Sequence, residues 1–312
     1  MLQGVKKWLA LEGYYIRQRI HKKYYVIYRS EGGAGFFSNY FWVLGHVVFA
    51  RKLGYIPVVD MENYATLYSE EEPVNGEKNA WNYFFENVGD VSLAQAYESG
   101  KYVLGQDKYL TKYAEKYSVP PYRFPTDKTI AFYKPYIEKH MRMRKEIIEE
   151  FEKEWNKKVS QNDHVVGIHI RGTDMKNDLG HPVPAAVEVY LDKLKSLLAE
   201  NPQINKIFLA TDENNIKERF EDEFHDSTYS LFVNEVFRVC DNGEKIKTGI
   251  HELKIDDPRP YHKYLIGKEV LQDAWFLNQC EYLICGYSNV TNVVLLWNQG
   301  KFKQIVCVEP IK

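Results

Sequence analysis

Cysteine is scarce in this chain. Its 312 residues hold four, Cys240, Cys280, Cys285 and Cys307, and no two form a CxxC pair. A chain this long needs no staples, so the four read as reduced core thiols of a cytosolic protein. Long apolar runs are missing too. No stretch of about 18 apolar residues occurs, and no membrane-spanning helix is expected. The N-terminus lacks a signal peptide's apolar stretch and small-residue cleavage site, so the expected location is the cytoplasm. Neither sign of charge dominates: 41 basic and 43 acidic residues give a formal net charge of -2. That leaves no overall basic field for nucleic acid. No D-x-D triplet occurs, and no His or Cys pair has zinc-finger or H-E-x-x-H spacing. Neither a metal nor another cofactor is expected.

Aromatics, by contrast, reach 15%, and 24 of them are tyrosines, which suits amphipathic clefts lined by ring faces and hydroxyls. Residues 1–23 carry Lys6, Lys7, Arg17, Arg19, Lys22 and Lys23 against Glu12 alone, interleaved with Trp8, Leu9, Leu11, Tyr14 and Tyr15. Such a segment suits a helix packed on its own domain or, as the alternative, peripheral contact with an anionic inner membrane face.

The length exceeds a single core and favours two domains of about 150 residues each. YYVIY at 24–28, the glycine turn EGGAGFFSN at 31–39, an apolar helix closing on Gly54 and IPVVD at 56–60 form one βαβ unit. The tyrosine-rich stretch from 62 to about 122 predicts short helices at 79–87 and 107–116. One long amphipathic helix is predicted over 126–158, ending at a boundary near 157–163. Beyond it, strands at 164–171, 206–210, 281–285 and 303–308 alternate with helices at 186–199, 213–221, 267–280 and 289–299. The pattern predicts an α/β protein of two Rossmann-like domains with parallel sheets, over 1–160 and 161–312.

Three predicted strands in the second domain end in polar groups. In GIHIRGTD, Val165, Gly167, His169 and Arg171 alternate with Val166, Ile168 and Ile170, so His169 and Arg171 share a face at the carboxyl end. Ligands of open α/β sheets bind beyond that end, and a guanidinium grips phosphate bidentately. The plainer alternative is that Arg171 pairs with Asp174. FLATDENN at 208–215 places Thr211 and Asp212 at the next edge, where either can N-cap the following helix. In CGYSN at 285–289, Ser288 and Asn289 stand at a helix N-terminus, where orphan N–H groups attract anions. Asp273 interrupts an apolar helix. Either it faces solvent, or it turns to a cleft where its two oxygens match the ring N–H and amino group of guanine. In the first domain, Gly32, Gly33 and Gly35 let backbone approach a pyrophosphate closely. His181 reads as structural, and the Asn289-Val290-Thr291 sequon falls in a helix expected to be buried.

HIRGTD, the later ATD, the Asp273 helix and the YSNV turn, in this order and spacing, resemble the donor-binding half of the fucosyltransferase superfamily of α1,6-fucosyltransferases and protein O-fucosyltransferases. The resemblance covers 164–300 and extends more loosely to 24–60. It implies a GT-B type fold and an inverting, metal-independent transfer. It also implies that His169 and Asp273 hold guanine while Arg171 and Ser288 hold the β-phosphate. Glu31 matches a glutamate that serves as general base in some O-fucosyltransferases, and Asp178 is the competing candidate. The α1,6 enzymes carry paired arginines where this chain has Arg171 and then Gly172, which is closer to the O-fucosyltransferase form.

The function so implied is transfer of fucose from GDP-fucose to a hydroxyl of a glycan or of a protein; the cytosolic placement and the basic N-terminus favour a lipid-linked or capsular glycan at the inner membrane face. Arg171 serves in catalysis with Glu31 or Asp178. His169, Arg171, Asp174, Asp212, Asp273, Ser288, Asn289, Gly33 and Gly35 form the donor site. Two alternatives stand beside it: another GDP-sugar such as GDP-mannose in surface polysaccharide synthesis, and a nucleotide-binding protein without turnover.

Overall fold

The structure is a computed structural model and describes residues 22–30, 32–106, 108–120, 122–172, 182–236, 238 and 259–311. Its contacts divide the chain into two compact units. The first runs through Ala34, then Ser38–Val119 and Pro135–Met143; the second takes Gly35–Phe37, Pro120–Lys134 and the chain from Arg144.

In the first unit, strands β1 (Tyr24–Ile27), β2 (Ile56–Val59) and β3 (Tyr102–Leu104) pair in parallel in the order β2-β1-β3, with Val26 opposite Val58 and Leu104. All four residues of β1 are buried, as a central parallel strand covered on both faces requires. Helix α1 (Phe36–Lys52) buries Phe41, Val43, Leu44, Val47, Val48 and Phe49. It is apolar nearly all round, the signature of a core helix rather than a surface one. Trp81 and Phe85 stack with ring centroids 4.5 Å apart, and Tyr40 of α1 lies 5.6 Å from Phe85. Helix α2 (Leu93–Glu98) carries a capping box between Ser92 and Gln95, and α3 (Lys108–Ala114) is followed by a 3-10 turn, Glu115–Tyr117. The helix expected at 79–87 is only a 3-10 turn, Ala80–Tyr83.

The single helix expected over 126–158 is two, α4 (Asp127–His140) and α5 (Lys145–Lys158). Between them Met143 bridges to Phe85, and the Glu86 N–H donates to Arg142 O at 2.9 Å. Arg142 also pairs with Glu86 at 2.6 Å and Asp90 at 3.2 Å. Backbone committed to that bridge is unavailable to a helix, so a long-range contact overrides an uninterrupted amphipathic period.

In the second unit the strands are β4 (Val165–Ile170), β5 (Lys206–Thr211), β6 (Ser230–Val233), β7 (Tyr282–Cys285) and β8 (Gln304–Cys307). They lie in the order β6-β5-β4-β7-β8, all parallel. Helices α6 (Val187–Glu200), α7 (Asn214–Phe224), α8 (His262–Gln279) and α9 (Asn289–Asn298) complete it. On one face Val166, Ile168 and Ile170 pack with Leu191, Leu194, Leu198 and Phe220 of α6 and α7. The other face is aromatic: Phe208 lies 5.2 Å from Phe232 and 5.4 Å from Phe276, and Trp155 of α5 lies 5.1 Å from Phe276. Gly167 belongs to this face. A Cβ there would meet Cys280 Sγ at 2.9 Å and Leu277 at 3.0 Å, so glycine lets the end of α8 approach β4. The two units thus form the expected α/β fold with two parallel sheets, while β3 and β6 are strands the sequence pattern did not announce.

Candidate functional site

The order β6-β5-β4-β7-β8 reverses direction at β4: the chain builds outward to β6, then returns to the other side of β4 with β7. In doubly wound sheets that reversal opens a crevice at the carboxyl ends of the two central strands. His169, Arg171 and Ser288 all fall there.

His169 is 6% exposed. Its Nδ1 lies 3.2 Å from Thr291 Oγ1 and 3.3 Å from Ser288 Oγ. The Thr291 hydroxyl donates to Gly286 O at 2.8 Å and the Ser288 hydroxyl to Thr291 Oγ1 at 3.2 Å, so neither has a proton left for the ring, and the network assigns the ring proton to Nδ1 and leaves Nε2 as an acceptor. Burial, reinforced by Arg171 and opposed by Asp212, lowers the ring's pKa to about 4, so the imidazole is neutral.

Arg171 Nη1 stands 3.7 Å from Asp212 Oδ2. This is longer than a charge-assisted hydrogen bond. Asp212 Oδ1 accepts from the Gly172 N–H at 3.0 Å, latching the end of β5 to the end of β4. The capping expectation is therefore corrected. The N-cap of α7 is Glu213, which makes no side-chain cap, and Thr211 Oγ1 accepts from the Glu213 N–H at 3.3 Å instead. Gly172 has its own cause: a Cβ there would run into the buried Glu213 carboxylate. Beside Arg171 lies a small cleft, lined also by Pro184, Tyr190, Gly286, Tyr287 and Val308.

Ser288 is the N-cap of α9, and its Oγ accepts from the Thr291 N–H at 2.9 Å. With the hydroxyl so committed, what this end offers an anion is the first-turn backbone N–H groups of Asn289 and Val290. Thr291 of the sequon is 1% exposed, in keeping with the buried helix expected there.

Asp273 lies half-buried on α8. Asn234 Nδ2 donates to its Oδ1 at 2.8 Å. Burial pushes the carboxyl up to about 7; Asn234 and Arg238 pull it back, while Glu269 and Asp212 add to the rise. Asp212 acts electrostatically on both Asp273 and His169, which joins the two ends of the site. Asn234 and Arg238 escaped the sequence reading. The signal for Asn234 is a polar residue directly after a strand, as at Arg171 and Asp212, but the sequence pattern does not announce β6; Arg238, five positions beyond β6, has no such signal.

Gly33 and Gly35 lie in the loop joining β1 to α1. Glu31, Asp174, Asp178, His181, Cys240 and nearly all of the basic segment 1–23 lie outside the described residues. Among the described residues, no group of three or more His, Cys, Asp or Glu is arranged to hold a metal, and no helix is long and apolar enough to cross a membrane.

No family profile matches the chain. Among solved structures it is similar to the fucosyltransferase NodZ from Bradyrhizobium, at 14% identity and a TM-score of 0.50 over 88% of this chain and 92% of that one. It is also similar to POFUT1 in complex with GDP, at 10% identity and a TM-score of 0.49 over 92% of this chain and 98% of that one. The NodZ likeness is one of fold.

Proposed function

We propose that the protein is an inverting, metal-independent glycosyltransferase that moves fucose from GDP-fucose to a hydroxyl of a glycan or protein. The observation that carries the reading is the Arg171–Asp212–Gly172 latch at the reversal of the strand order, flanked by the N-terminus of α9 and by Asp273. A cation and a ring of helix N–H groups suit a diphosphate, and a half-buried carboxylate suits the donor edge of guanine. The motif resemblance over 164–300 and the likeness in fold to a fucosyltransferase support the same choice of donor.

In this reading the second unit binds donor and the first binds acceptor. Glu31 or Asp178 takes the proton of the acceptor hydroxyl. The oxygen forms a bond to the anomeric carbon as the bond to the diphosphate breaks, and GDP departs with the electron pair, giving an α-linked product from a β-linked donor. Arg171 and the first turn of α9 offset the developing charge, the kind of preorganised electrostatics that carries most of the rate in such transfers. A lipid-linked glycan at the inner membrane face is the acceptor in keeping with the basic segment 1–23. Removing residues 1–20 abolishes liposome binding if that segment makes the contact.

Thermal melts with GDP, UDP and ADP, each with EDTA and with magnesium, test the donor site. A ligand at about a hundred times its dissociation constant adds roughly 2.7 kcal/mol. The expected result is a GDP-selective shift that survives EDTA. An equal shift with all three nucleotides sinks the reading. GDP release from GDP-fucose against GDP-mannose then identifies the sugar, and absence of release with either leaves a binding protein without turnover.

A further inference from the structure

The guanine contact assigned to Asp273 rests on a single side chain, and that side chain is braced. Asn234 follows β6 directly and is 2% exposed; its Nδ2 meets Asp273 Oδ1 at 2.8 Å. An amide NH2 only donates, so the contact favours the charged carboxylate and fixes its plane. Asn234 is held in turn. Arg238 Nη2 donates to Asn234 O at 2.7 Å and its Nε to Thr211 O at 3.2 Å, which ties the segment after β6 to the end of β5.

We propose that Asn234, anchored by Arg238, is the positioning residue that sets guanine selectivity at Asp273. The proposal rests on the reading of this site as a GDP-sugar site. Each carboxylate oxygen has two lone pairs, so Oδ1 accepts from Asn234 and still accepts from a base. The base offers a ring N–H and an amino group, and both need an acceptor. Without Asn234 the carboxyl rotates and takes up a proton, and its O–H then opposes one of those N–H groups. Among the described residues, the charged groups that face Asp273 are Asp212 at the end of β5, Arg238 after β6 and Glu269 one turn back on α8; Glu269 itself pairs with Arg259 at 2.7 Å. Asp212 and Glu269 favour the neutral acid, so removing Asn234 leaves Arg238 as the sole described group opposing them and burial.

The test is calorimetric titration of the full chain with GDP, IDP and ADP from about pH 5.5 to about pH 8.5, around the range in which the carboxyl titrates. IDP keeps the ring N–H of guanine and lacks the amino group. Wild-type protein is expected to prefer GDP to IDP by about tenfold, the worth of one such hydrogen bond. In Asn234→Ala, GDP binding falls by about tenfold, the preference over IDP shrinks toward one, and the pH at which GDP binding is half-maximal moves up. Weak ADP binding, carried by the diphosphate, stays as it was. Asn234→Asp keeps the shape and replaces the donor with an acceptor, so it moves that midpoint up further; it decides the matter alone if Asn234→Ala does not fold. A GDP-to-IDP ratio and a pH midpoint both unmoved in the folded variants overturn the positioning role while wild-type GDP selectivity leaves the site reading standing. Wild-type protein that binds GDP no better than ADP overturns both.

Discussion

Two carboxylates, one in each unit, do opposite things. Asp60 follows β2 in the first unit and is wholly buried. It accepts from the Glu62 and Asn63 N–H groups, from the Asn63 side-chain amide and from the Tyr97 hydroxyl at 2.5 Å. Its lone pairs are spent on tying residues 60–63 to α2. Asp273 in the second unit accepts from one donor, Asn234, among the described residues, and burial raises its affinity for a proton. Both are acids in a parallel α/β frame, Asp60 fully buried and Asp273 half-buried. What separates a structural acid from a binding one is how much acceptor capacity the fold leaves over.

That contrast sets the size of the expected effects. Asp60→Ala strands the Tyr97 hydroxyl and two backbone donors, and about 3–5 kcal/mol of stability should go with them; chemical denaturation reads this, and a loss under about 1 kcal/mol would show that the knot is not structural. Arg171→Ala should lower GDP release from GDP-fucose by about a hundredfold or more, as loss of a preorganised transition-state contact does. Stability should change by less than about 1 kcal/mol, because its pair with Asp212 is long and partly exposed. Normal turnover in that variant removes the diphosphate role.

Asp273→Asn should cut the preference for GDP over ADP by about tenfold while leaving the fold as stable or more so near pH 8. The reason is linkage. Asp273 titrates near 7 in the fold and near about 4 when unfolded, so the native state binds the extra proton between those values. Its contribution to stability is full below about pH 4 and is lost as pH rises through 7. GDP binding runs the other way, because the base needs the carboxylate. Melting temperature against pH for wild type and Asp273→Asn isolates this difference, the smallest of the effects. Identical profiles would mean that the group does not titrate there.

The parts that the sequence made legible are local. Alternation in GIHIRGTD put His169 and Arg171 on one face, and the structure places them at the carboxyl end of β4 as that alternation requires. Ser288 was correctly placed at the start of α9, yet its hydroxyl is spent on capping. Asp212 looked like a helix cap because Asp before a helix commonly is one, but the Gly172 N–H, forty positions away in the chain, won it. Asn234 and Arg238 carry no such local signal, because β6, the strand that leads to them, has no buried residue to mark it.

Strand and helix periods are properties of neighbouring residues, so the order of alternating elements and the parallel sheets could be read from composition and spacing alone. The break at 141–144, the partner of Asp212 and the proton affinity of Asp273 depend on residues that meet only when distant segments pack. Met143 leaves its helix to bridge to Phe85, and Asp273 is desolvated and braced by Asn234 from the segment after β6. Burial and hydrogen-bond competition are decided by what arrives from elsewhere in the chain, and no local pattern carries that information.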